Sequence, residues 1–414
     1  MTRKTIWIVG AAGPIEGENW RDYRDNQFGK YLSQYGYDVV WWTSNFSHHF
    51  KKFRSKGWED ISVSPNFTIR LVPSTSYKKN FGIGRIISII VFSYRAGKRM
   101  EKEKTPDVVL GNSVLTKGHP VFSYAQKHKI KSILDQGDIW PEFIELGFGK
   151  FAKIVHLLFK PIYKARERNY YNASALIALG KNYLDFARGV ASNGFDKPCA
   201  LVYNGIDIDQ FNEMAQVSIS SELSKMIDKK NNEILCVFAG TFGPSYDVTA
   251  MLQCAAKFDD EGRAVKFIFA GSGPRVPEVR EMAEKHDNIV FVGSLKPSEL
   301  IPLYTMCDIG LCPYTEKSNV DMPDKFYDYT AAGLVVVNSL TQEVAERVEQ
   351  SKVGFNYKAS DVEDLYTKID QIASDAELRE TMKNNSKALG TEFDSKVQNR
   401  KLAVLIDQLM EENE

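Results

Sequence analysis

Short runs of β-branched and aromatic residues alternate with amphipathic segments along this chain, and this alternation constrains its fold more than any other feature. The first series of runs is TIWIVG, YDVVWWTS, FTIRLVP, DVVLGN, KSILDQ, ALIALG and ALVYNG. After a polar stretch, a second series follows: ILCVFAG, KFIFAG, IVFVG, IGLCPY, LVVVNS and VGFNY. Strands separated by helical segments form βαβ units and parallel sheets. The restart therefore predicts two such sheets.

The length of the chain also favours two domains, because 414 residues exceed what a single hydrophobic core usually holds. We predict an α/β fold of two Rossmann-like, doubly wound domains that face a central cleft. The first covers residues 1–206 and the second covers residues 207–392. Residues 393–414 form an amphipathic helix that packs back toward the first domain. Ligands of such sheets bind outside the carboxyl ends of the strands.

Charge is distributed unevenly, although the net charge is zero. Between Tyr77 and Tyr170 there are 18 Lys and Arg residues against 8 Asp and Glu residues. Most of the surplus lies in two helix-like stretches, 82–104 and 149–168, which suit an anionic membrane surface or a polyanionic ligand. The alternative is that their apolar faces belong to the core and their cations are only solvated.

Several function classes are disfavoured by the sequence. The apolar stretch from Phe81 to Tyr94 is shorter than the roughly 20 residues that a membrane span needs, so we expect no spanning helix. No recognised nucleic-acid module is present. The five cysteines form no CxxC pair, which favours reduced core thiols over a metal site.

Glycine-rich turns follow the first strand of each predicted domain. GAAGPIEG supplies Gly10, Gly13 and Gly17, but this spacing and the missing acid after the second strand disfavour a nicotinamide dinucleotide site. In the second domain, FAGTFG would present the N–H groups of Thr241, Phe242 and Gly243 to a phosphate. Gly271 and Gly273 form the next turn, where Arg275 could meet a negative charge.

The segment DMPDKFYDYTAAGLVVV has the strongest chemical content. Lys325 and Asp328 are three residues apart, so they share one face of a helix that begins near Pro323. Lys325 could pair with a diphosphate, and Asp328 could accept hydrogen bonds from two ribose hydroxyls. A surface ion pair between them remains the alternative.

The motif PDKFYDYTAAG resembles the donor-binding motif of retaining glycosyltransferases of family 4, which have the GT-B fold. Other segments resemble the same family in the family's order, and the resemblance covers nearly the whole chain. These are RDYRDNQFGKYLSQYGYDVVWWTSNFSHHFKKFR, DQGDIWPEFIELG, RERNYYNASALIALG, LVYNGIDIDQF and CDIGLCPY. The first of them is similar to bacterial surface-polysaccharide transferases.

The resemblance implies a role for each matching residue. Asp328 would hold the ribose and Lys325 would meet the diphosphate. Asp138 and Arg24 would face the reaction centre, and His48 and His49 would either line an acceptor cleft or belong to an ordinary loop. The further donor-binding candidates are Gly13, Thr241, Phe242, Gly243, Arg275, Ser294, Leu295 and Asp321.

The chain departs from the family pattern at one informative position. The family carries an acid eight residues before the position of Asp328, but Val320 stands there and Asp321 is the nearest acid. Two alternatives to a transferase therefore stay open. One is an epimerase of nucleotide sugars with the same two-domain shape, and the other is a catalytically silent subunit that binds a sugar nucleotide for a partner enzyme.

The resemblance leads to a functional expectation. We expect a metal-independent retaining glycosyltransferase without a cofactor, of hexosyl or N-acetylhexosaminyl type. It would use a nucleoside-diphosphate sugar, UDP-sugar rather than GDP-sugar, and a lipid-linked glycan acceptor. Its pathway would be capsule, O-antigen or related surface-polysaccharide biosynthesis. We expect it in the cytoplasm, peripheral at the inner face of an anionic membrane, with no nucleic-acid partner.

Overall fold

The computed structural model describes residues 3–18, 24–79, 82–112, 120–137, 139, 142, 152–191 and 196–411. The chain divides into two compact units. Unit 1 comprises Met1–Asn204 with Lys396–Glu414, and unit 2 comprises Gly205–Ser395. Each unit contains one sheet whose strands are mostly or wholly parallel. The prediction of a mixed α/β fold with parallel sheets in two domains is confirmed.

Unit 1 has eight strands in its described residues. They are β1 (Thr5–Val9), β2 (Asp38–Ser44), β3 (Glu59–Ser64), β4 (Phe67–Val72), β5 (Val108–Asn112), β6 (Lys131–Gln136), β7 (Ala175–Ala178) and β8 (Cys199–Leu201). Their order in the sheet is β3-β4-β2-β1-β5-β6-β7-β8. Only β3 runs antiparallel to its neighbour among these strands, at the edge of the sheet.

Helices cover both faces of this sheet. In the described residues they are α1 (Arg24–Tyr35), α2 (Ile83–Met100), α3 (Pro120–His128), α4 (Ala152–Asn172), α5 (Lys181–Val190) and α15 (Ser395–Glu411). Successive side chains of a strand point to opposite faces, so β1 contributes Ile6 and Ile8 to one apolar layer and Trp7 and Val9 to the other. Helices α1 and α15 bury their apolar sides in the first layer, and α2 to α5 bury theirs in the second.

Unit 2 has six strands, all parallel, in its described residues. They are β9 (Ile234–Thr241), β10 (Val265–Ser272), β11 (Ile289–Gly293), β12 (Ile309–Cys312), β13 (Val335–Asn338) and β14 (Gly354–Asn356). Their order is β11-β10-β9-β12-β13-β14. The strands are nearly continuous apolar runs, as expected for a parallel sheet that helices cover.

Several of the nine helices described in unit 2 begin with a side-chain cap. They are α6 (Ile208–Ala215), α7 (Ser221–Ile227), α8 (Val248–Asp260), α9 (Val276–Lys285), α10 (Pro297–Met306), α11 (Asp324–Ala332), α12 (Glu343–Gln350), α13 (Val362–Ser374) and α14 (Ala376–Glu392). The Asp247 side chain accepts the N–H of Ala250 and so caps α8. Helix α11 begins after Pro323 and ends at Gly333, whose φ of 73° is left-handed.

Strand order reverses once in each sheet, and the reversal fixes where a ligand can enter. In unit 1 the chain leaves β1 for β2 on one side and returns to β5 on the other. In unit 2 the same reversal lies between β9 and β12. Helical connections diverge at such a point and leave a crevice beyond the carboxyl ends of the two strands. Ligand-binding residues are therefore expected at the carboxyl ends of β1, β5, β9 and β12.

Candidate functional site

Lys325 lies at the strand-order reversal of unit 2. It belongs to the first turn of α11, which follows β12, and its side chain reaches the end of β9. A Cβ atom on Gly240, near the end of β9, would be 2.6 Å from the Lys325 Nζ. The Lys325 side chain thus occupies space that only a glycine leaves open.

Aromatic rings surround the Lys325 ammonium. Nζ lies 4.3 Å from the ring centroid of Tyr246, 5.1 Å from that of Phe238 and 6.0 Å from that of Tyr314. It also donates a hydrogen bond of 2.9 Å to the Tyr246 hydroxyl. The ring faces stabilise a cation electrostatically, by about 0.5–2 kcal/mol for each good contact.

The Lys325 cation has no carboxylate partner among the described residues, and Tyr246 is its one hydrogen-bond acceptor there. Only 9% of the residue is exposed. Buried lysines are usually paired with an acid because desolvation of an isolated ammonium is costly. An ammonium held this way has unused capacity for an anion, which is what a site for a diphosphate requires.

The turn after β9 differs from the sequence expectation in its hydrogen bonds. The Phe242 N–H donates to the Ser272 carbonyl oxygen at 2.8 Å, and the Gly243 N–H donates to the Thr241 carbonyl oxygen at 2.9 Å. The expectation that both N–H groups point to a phosphate is therefore corrected, because both donate within the protein. Phe242 is fully buried among Phe238, Phe269 and Phe291, whereas Thr241 is exposed.

The turn after β10 is glycine-rich because it packs against the turn after β9. A Cβ atom on Gly271 would overlap the Gly240 carbonyl oxygen, and one on Gly273 would lie 2.5 Å from the Phe242 carbonyl oxygen. Their φ angles of 140° and 148° are also unfavourable for other residues. Close packing of the two turns thus accounts for both glycines.

Arg275 follows these turns and is already engaged by an acid. Its guanidinium donates to both carboxylate oxygens of Glu278 at 2.6 and 2.9 Å, and to the Thr249 hydroxyl at 2.6 Å. The hydrogen bond with Glu278 raises the pKa of Arg275. An incoming anion would compete with Glu278 for this guanidinium.

The other donor-side candidates lie at several places in unit 2. Asp328 is half-buried, one turn after Lys325 on α11. Asp321 is buried, and its Oδ1 accepts the Glu343 N–H at 3.1 Å, so this carboxylate serves the start of α12. Ser294 is exposed and Leu295 is half-buried, directly after β11 at the edge of the sheet. Their assigned roles stay predictions.

In unit 1, Gly13 lies in the loop after β1, with φ of 115°. Its carbonyl oxygen accepts a hydrogen bond of 2.6 Å from Arg54, and Arg54 also pairs with Glu18 at 2.8 Å. Both charged side chains are almost fully buried, at 4% and 10% exposure. The loop that contains Gly13 is therefore fixed in place by a buried ion pair.

Arg24 forms a second buried ion pair at the strand ends of unit 1. It donates to both carboxylate oxygens of Asp135, at 2.5 and 2.7 Å, and also to the Val202 carbonyl oxygen. The next residue, Asp25, has its pKa raised to about 7 by burial and by the charge of Asp135. A Cβ atom on Gly10 would overlap the Asp25 carboxylate. Sequence reasoning missed Asp25 and Asp135.

The signal that could have found Asp135 was available in the sequence. The acid stands near the end of the apolar run KSILDQ, and Asn112 ends the run DVVLGN. A polar residue at the carboxyl end of a buried strand lies where ligands of parallel sheets bind. Asp138, the predicted catalytic acid, lies outside the described residues.

The two histidines after β2 differ from each other. His48 is half-buried and its Nδ1 lies 2.6 Å from the Tyr77 hydroxyl, whereas His49 is exposed. Burial, and then the charges of Arg85 and Lys51, lower the pKa of His48 to about 4. His48 is therefore a neutral imidazole at neutral pH. Its role as an acceptor-side residue stays a prediction.

Comparisons with known proteins identify the fold to which these sites belong. Residues 220–389 match the family model described as glycosyl transferases group 1. Sucrose-phosphate synthase from Thermosynechococcus elongatus is similar with a TM-score of 0.74 and 14% identity, over 98% of this chain and 99% of that one.

Two further solved structures are similar over nearly their whole length. The Anabaena protein HepE, in complex with UDP-glucose, has a TM-score of 0.66 and 14% identity, covering 98% of this chain and 100% of that chain. WaaG, a glycosyltransferase involved in lipopolysaccharide biosynthesis, has a TM-score of 0.64 and 16% identity, covering 97% and 99%. The chain thus has the fold of the GT-B glycosyltransferases, and the match to the glycosyl transferases group 1 model falls on residues 220–389.

Proposed function

We propose that this protein is a retaining glycosyltransferase of family 4 that moves a sugar from a nucleoside-diphosphate sugar to a hydroxyl of a lipid-linked or surface-glycan acceptor. The observation that carries the proposal is the Lys325 ammonium. It is nearly buried at the strand-order reversal of unit 2 and has no carboxylate partner in the described part of the chain. A diphosphate is the anion that such a transferase must hold.

Lys325 would act on the charge that develops as the donor breaks. The bond between the anomeric carbon and the diphosphate oxygen breaks, and the acceptor oxygen bonds to the same face of that carbon. The acceptor proton leaves with the diphosphate. A fixed cation in a site of low dielectric stabilises the leaving charge more strongly than water would. This role needs no metal ion.

The donor and the pathway are proposed from structural relatives. HepE was solved with UDP and with UDP-glucose, which supports a UDP-sugar donor of hexosyl type for this chain. WaaG is involved in lipopolysaccharide biosynthesis, which supports a surface-polysaccharide pathway. Asp328, half-buried one turn after Lys325, is the proposed partner of the ribose hydroxyls.

An anionic membrane surface is the proposed location of the acceptor. No helix in the described residues is long and apolar enough to cross a membrane. Helix α2 nevertheless exposes Ile83, Ile87, Ile90 and Tyr94, by 76%, 47%, 46% and 64%. Helix α4 exposes Ile154, Leu157 and Leu158 similarly, by 61%, 59% and 70%. Exposed apolar side chains among cations are typical of helices that lie in a membrane interface.

Nucleotide binding tests the proposal directly. UDP, GDP, ADP, TDP and CMP are compared by thermal unfolding of the wild type, Lys325→Gln and a control, Lys285→Gln, which removes an exposed lysine from α9 of the same unit. A ligand at about 100 times its Kd stabilises the folded protein by about 2.7 kcal/mol, and a tenfold weaker Kd halves that gain. We expect UDP to raise the melting temperature of the wild type and the control, and to raise that of Lys325→Gln at most half as much. Equal shifts in all three would contradict the assignment of Lys325.

A catalytically silent subunit is a second candidate, and one observation favours it. Val320 occupies the position where the family has an acid, and the nearest acid, Asp321, is buried and bonded to the start of α12. Such a subunit would bind UDP but release none from a UDP-sugar when acceptor is present. An epimerase would convert the sugar nucleotide without any acceptor. Diphosphate release with and without acceptor therefore separates the three functions.

A further inference from the structure

A cavity lies at the strand-order reversal of unit 1, and its residues are far from Lys325 in the sequence. The cavity and its open mouth together hold about 510 Å³ of space. Ala12, Ser44 and Asn112 line it at the ends of β1, β2 and β5. Tyr77 lines it from the segment before α2, and Arg85 and Ser93 line it from α2 itself. The cavity therefore occupies the crevice where a sheet of this topology binds its ligand.

The charge around this cavity is positive. Arg85 is the one charged residue among those that line it in the described chain. Lys51 lies beside it, with Nζ 4.7 Å from the Tyr77 ring centroid. The positive charge of Arg85 lowers the pKa of both Lys51 and His48, in addition to the effect of burial.

Ser93 provides an independent indication of a ligand. It is 3% exposed, it lines the cavity, and its hydroxyl has no hydrogen-bond partner in the described part of the chain. A buried hydroxyl without a partner destabilises the folded protein, because it has lost its hydrogen bonds to water. Ser88, five residues earlier on the same helix, bonds to the Ser74 hydroxyl and to the Thr75 carbonyl oxygen. The unpartnered hydroxyl is thus a local feature of the cavity wall.

We propose that this cavity binds a phosphate group of the acceptor, with Arg85 as the principal cation and Ser93 as a hydrogen-bond donor. Arginine suits this role because its planar guanidinium can donate two parallel hydrogen bonds to a phosphate. Lys51 lies over the ring of Tyr77, and Tyr77, whose hydroxyl is 2.6 Å from the His48 Nδ1, lines the cavity.

This inference rests on the proposed transferase function, since it names the chemistry of the second substrate. The phosphate could belong to a soluble hexose phosphate or to a sugar carried on a prenyl diphosphate. Both offer the same oxygens to Arg85, and they differ in the chain attached beyond the phosphate.

Binding of phosphate-bearing probes tests the proposal without turnover. Calorimetry at fixed ionic strength compares inorganic phosphate, hexose phosphates, the same hexoses without phosphate, and a short-chain prenyl diphosphate sugar. The variants are Arg85→Gln, Arg85→Lys and Ser93→Ala. Arg95→Gln is the matched control, because it removes an exposed arginine from the same helix.

We expect each phosphate-bearing sugar to bind the wild type at least tenfold more tightly than its neutral counterpart. Arg85→Gln should weaken that binding about 10- to 100-fold, as loss of charged hydrogen bonds predicts. Arg85→Lys should bind these sugars more tightly than Arg85→Gln but more weakly than the wild type. Ser93→Ala should lose less affinity than Arg85→Gln, and Arg95→Gln should bind like the wild type. The tighter of the two phosphate-bearing sugars identifies the source of the phosphate.

Two results would overturn the inference. The first is equal binding of phosphate-bearing and neutral sugars, and the second is equal phosphate binding by Arg85→Gln and Arg95→Gln. UDP binding is measured alongside and should not change in Arg85→Gln. Normal UDP binding without any phosphate-dependent acceptor binding would reject this site and leave the transferase standing. Phosphate binding through Arg85 without nucleotide binding would support this site and reject the transferase function.

Discussion

Asp25 is the titratable group whose replacement tests the electrostatics of unit 1 most sharply. Burial and the neighbouring negative charge of Asp135 together raise the pKa of Asp25 from 3.8 to about 7, although Arg24 lowers it. Asp135 is itself held by two hydrogen bonds from Arg24. At neutral pH the Asp25 carboxyl is therefore close to the midpoint of its titration.

The sign of the effect is opposite to that of an ordinary paired carboxylate. Because the pKa of Asp25 is higher in the folded than in the unfolded protein, the folded state binds the proton more tightly. Its contribution to stability is therefore most favourable below about pH 4, declines as the pH rises toward 7, and is constant above that. A difference of about three units corresponds to about 4 kcal/mol in all, and about 2–3 kcal/mol of that falls between pH 5 and pH 8.

The substitution Asp25→Asn removes this penalty because the amide has the shape of the carboxylic acid and never ionises. We expect the stability of Asp25→Asn relative to the wild type to increase by about 2–3 kcal/mol between pH 5 and pH 8. For a unit of this size that corresponds to a relative gain of roughly 5–10 °C in the melting temperature. Calorimetric melting of both proteins at the two pH values measures it, and other titrating groups cancel in the difference.

Asp185→Asn is the control, since it removes an exposed carboxylate from α5 of the same unit. Its difference from the wild type should not depend on pH over this range. A pH-independent difference for Asp25→Asn would refute the reasoning, because it would mean that Asp25 is ionised in the folded protein throughout. An increase in the stability of Asp25→Asn relative to the wild type as the pH falls would refute the reasoning more directly.

Two other predictions concern the donor site and the membrane surface. Gly240→Ala should weaken UDP binding about tenfold, because its Cβ atom would lie 2.6 Å from the Lys325 Nζ and displace the ammonium. It should also lower the melting temperature, because the Gly240 φ of 159° is unfavourable for residues other than glycine. Unchanged UDP affinity by calorimetry would show that the ammonium position does not matter. Replacing Ile83, Ile87 and Ile90 with Ser should reduce sedimentation with anionic vesicles at least tenfold, given about 1.5 kcal/mol or more for each buried side chain; equal replacement of the exposed Val397 and Val404 of α15 should not, and equal loss in both would reject α2 as the membrane surface.

The fold was predictable from the sequence because parallel strands are buried on both sides and read as continuous apolar runs. Each of the predicted runs overlaps a strand of the structure. Strand β3 was not predicted, and its residues explain why. Glu59 to Ser64 are exposed or half-buried, and the strand pairs only with β4 at the edge of the sheet, so it has no apolar signature. Its formation depends on the turn that leads into β4.

The candidate sites were predictable only in part. The position of Lys325 followed from a helix that begins after a strand, which is local information. The bonds of Asp321 to the start of α12 and of Phe242 to Ser272 depend on tertiary packing. No local pattern reports whether a backbone N–H at a strand end is used inside the protein. The sequence could therefore place the turn after β9 and could not assign its donors.

The comparison of Lys325 with Arg24 shows which quantity decides whether a cation at a strand end binds a ligand. Both side chains are nearly buried at the carboxyl ends of parallel strands, and both were predicted to act at the reaction centre. Arg24 donates two hydrogen bonds to Asp135, which is 111 residues away in the sequence, so a substrate anion would compete with that carboxylate for its charge. Lys325 is surrounded by aromatic rings and one hydroxyl, which stabilise an ammonium without neutralising it. The two cations therefore differ in whether a carboxylate distant in the sequence pairs with them. Because folding brings that carboxylate to Arg24, only the structure could show the difference.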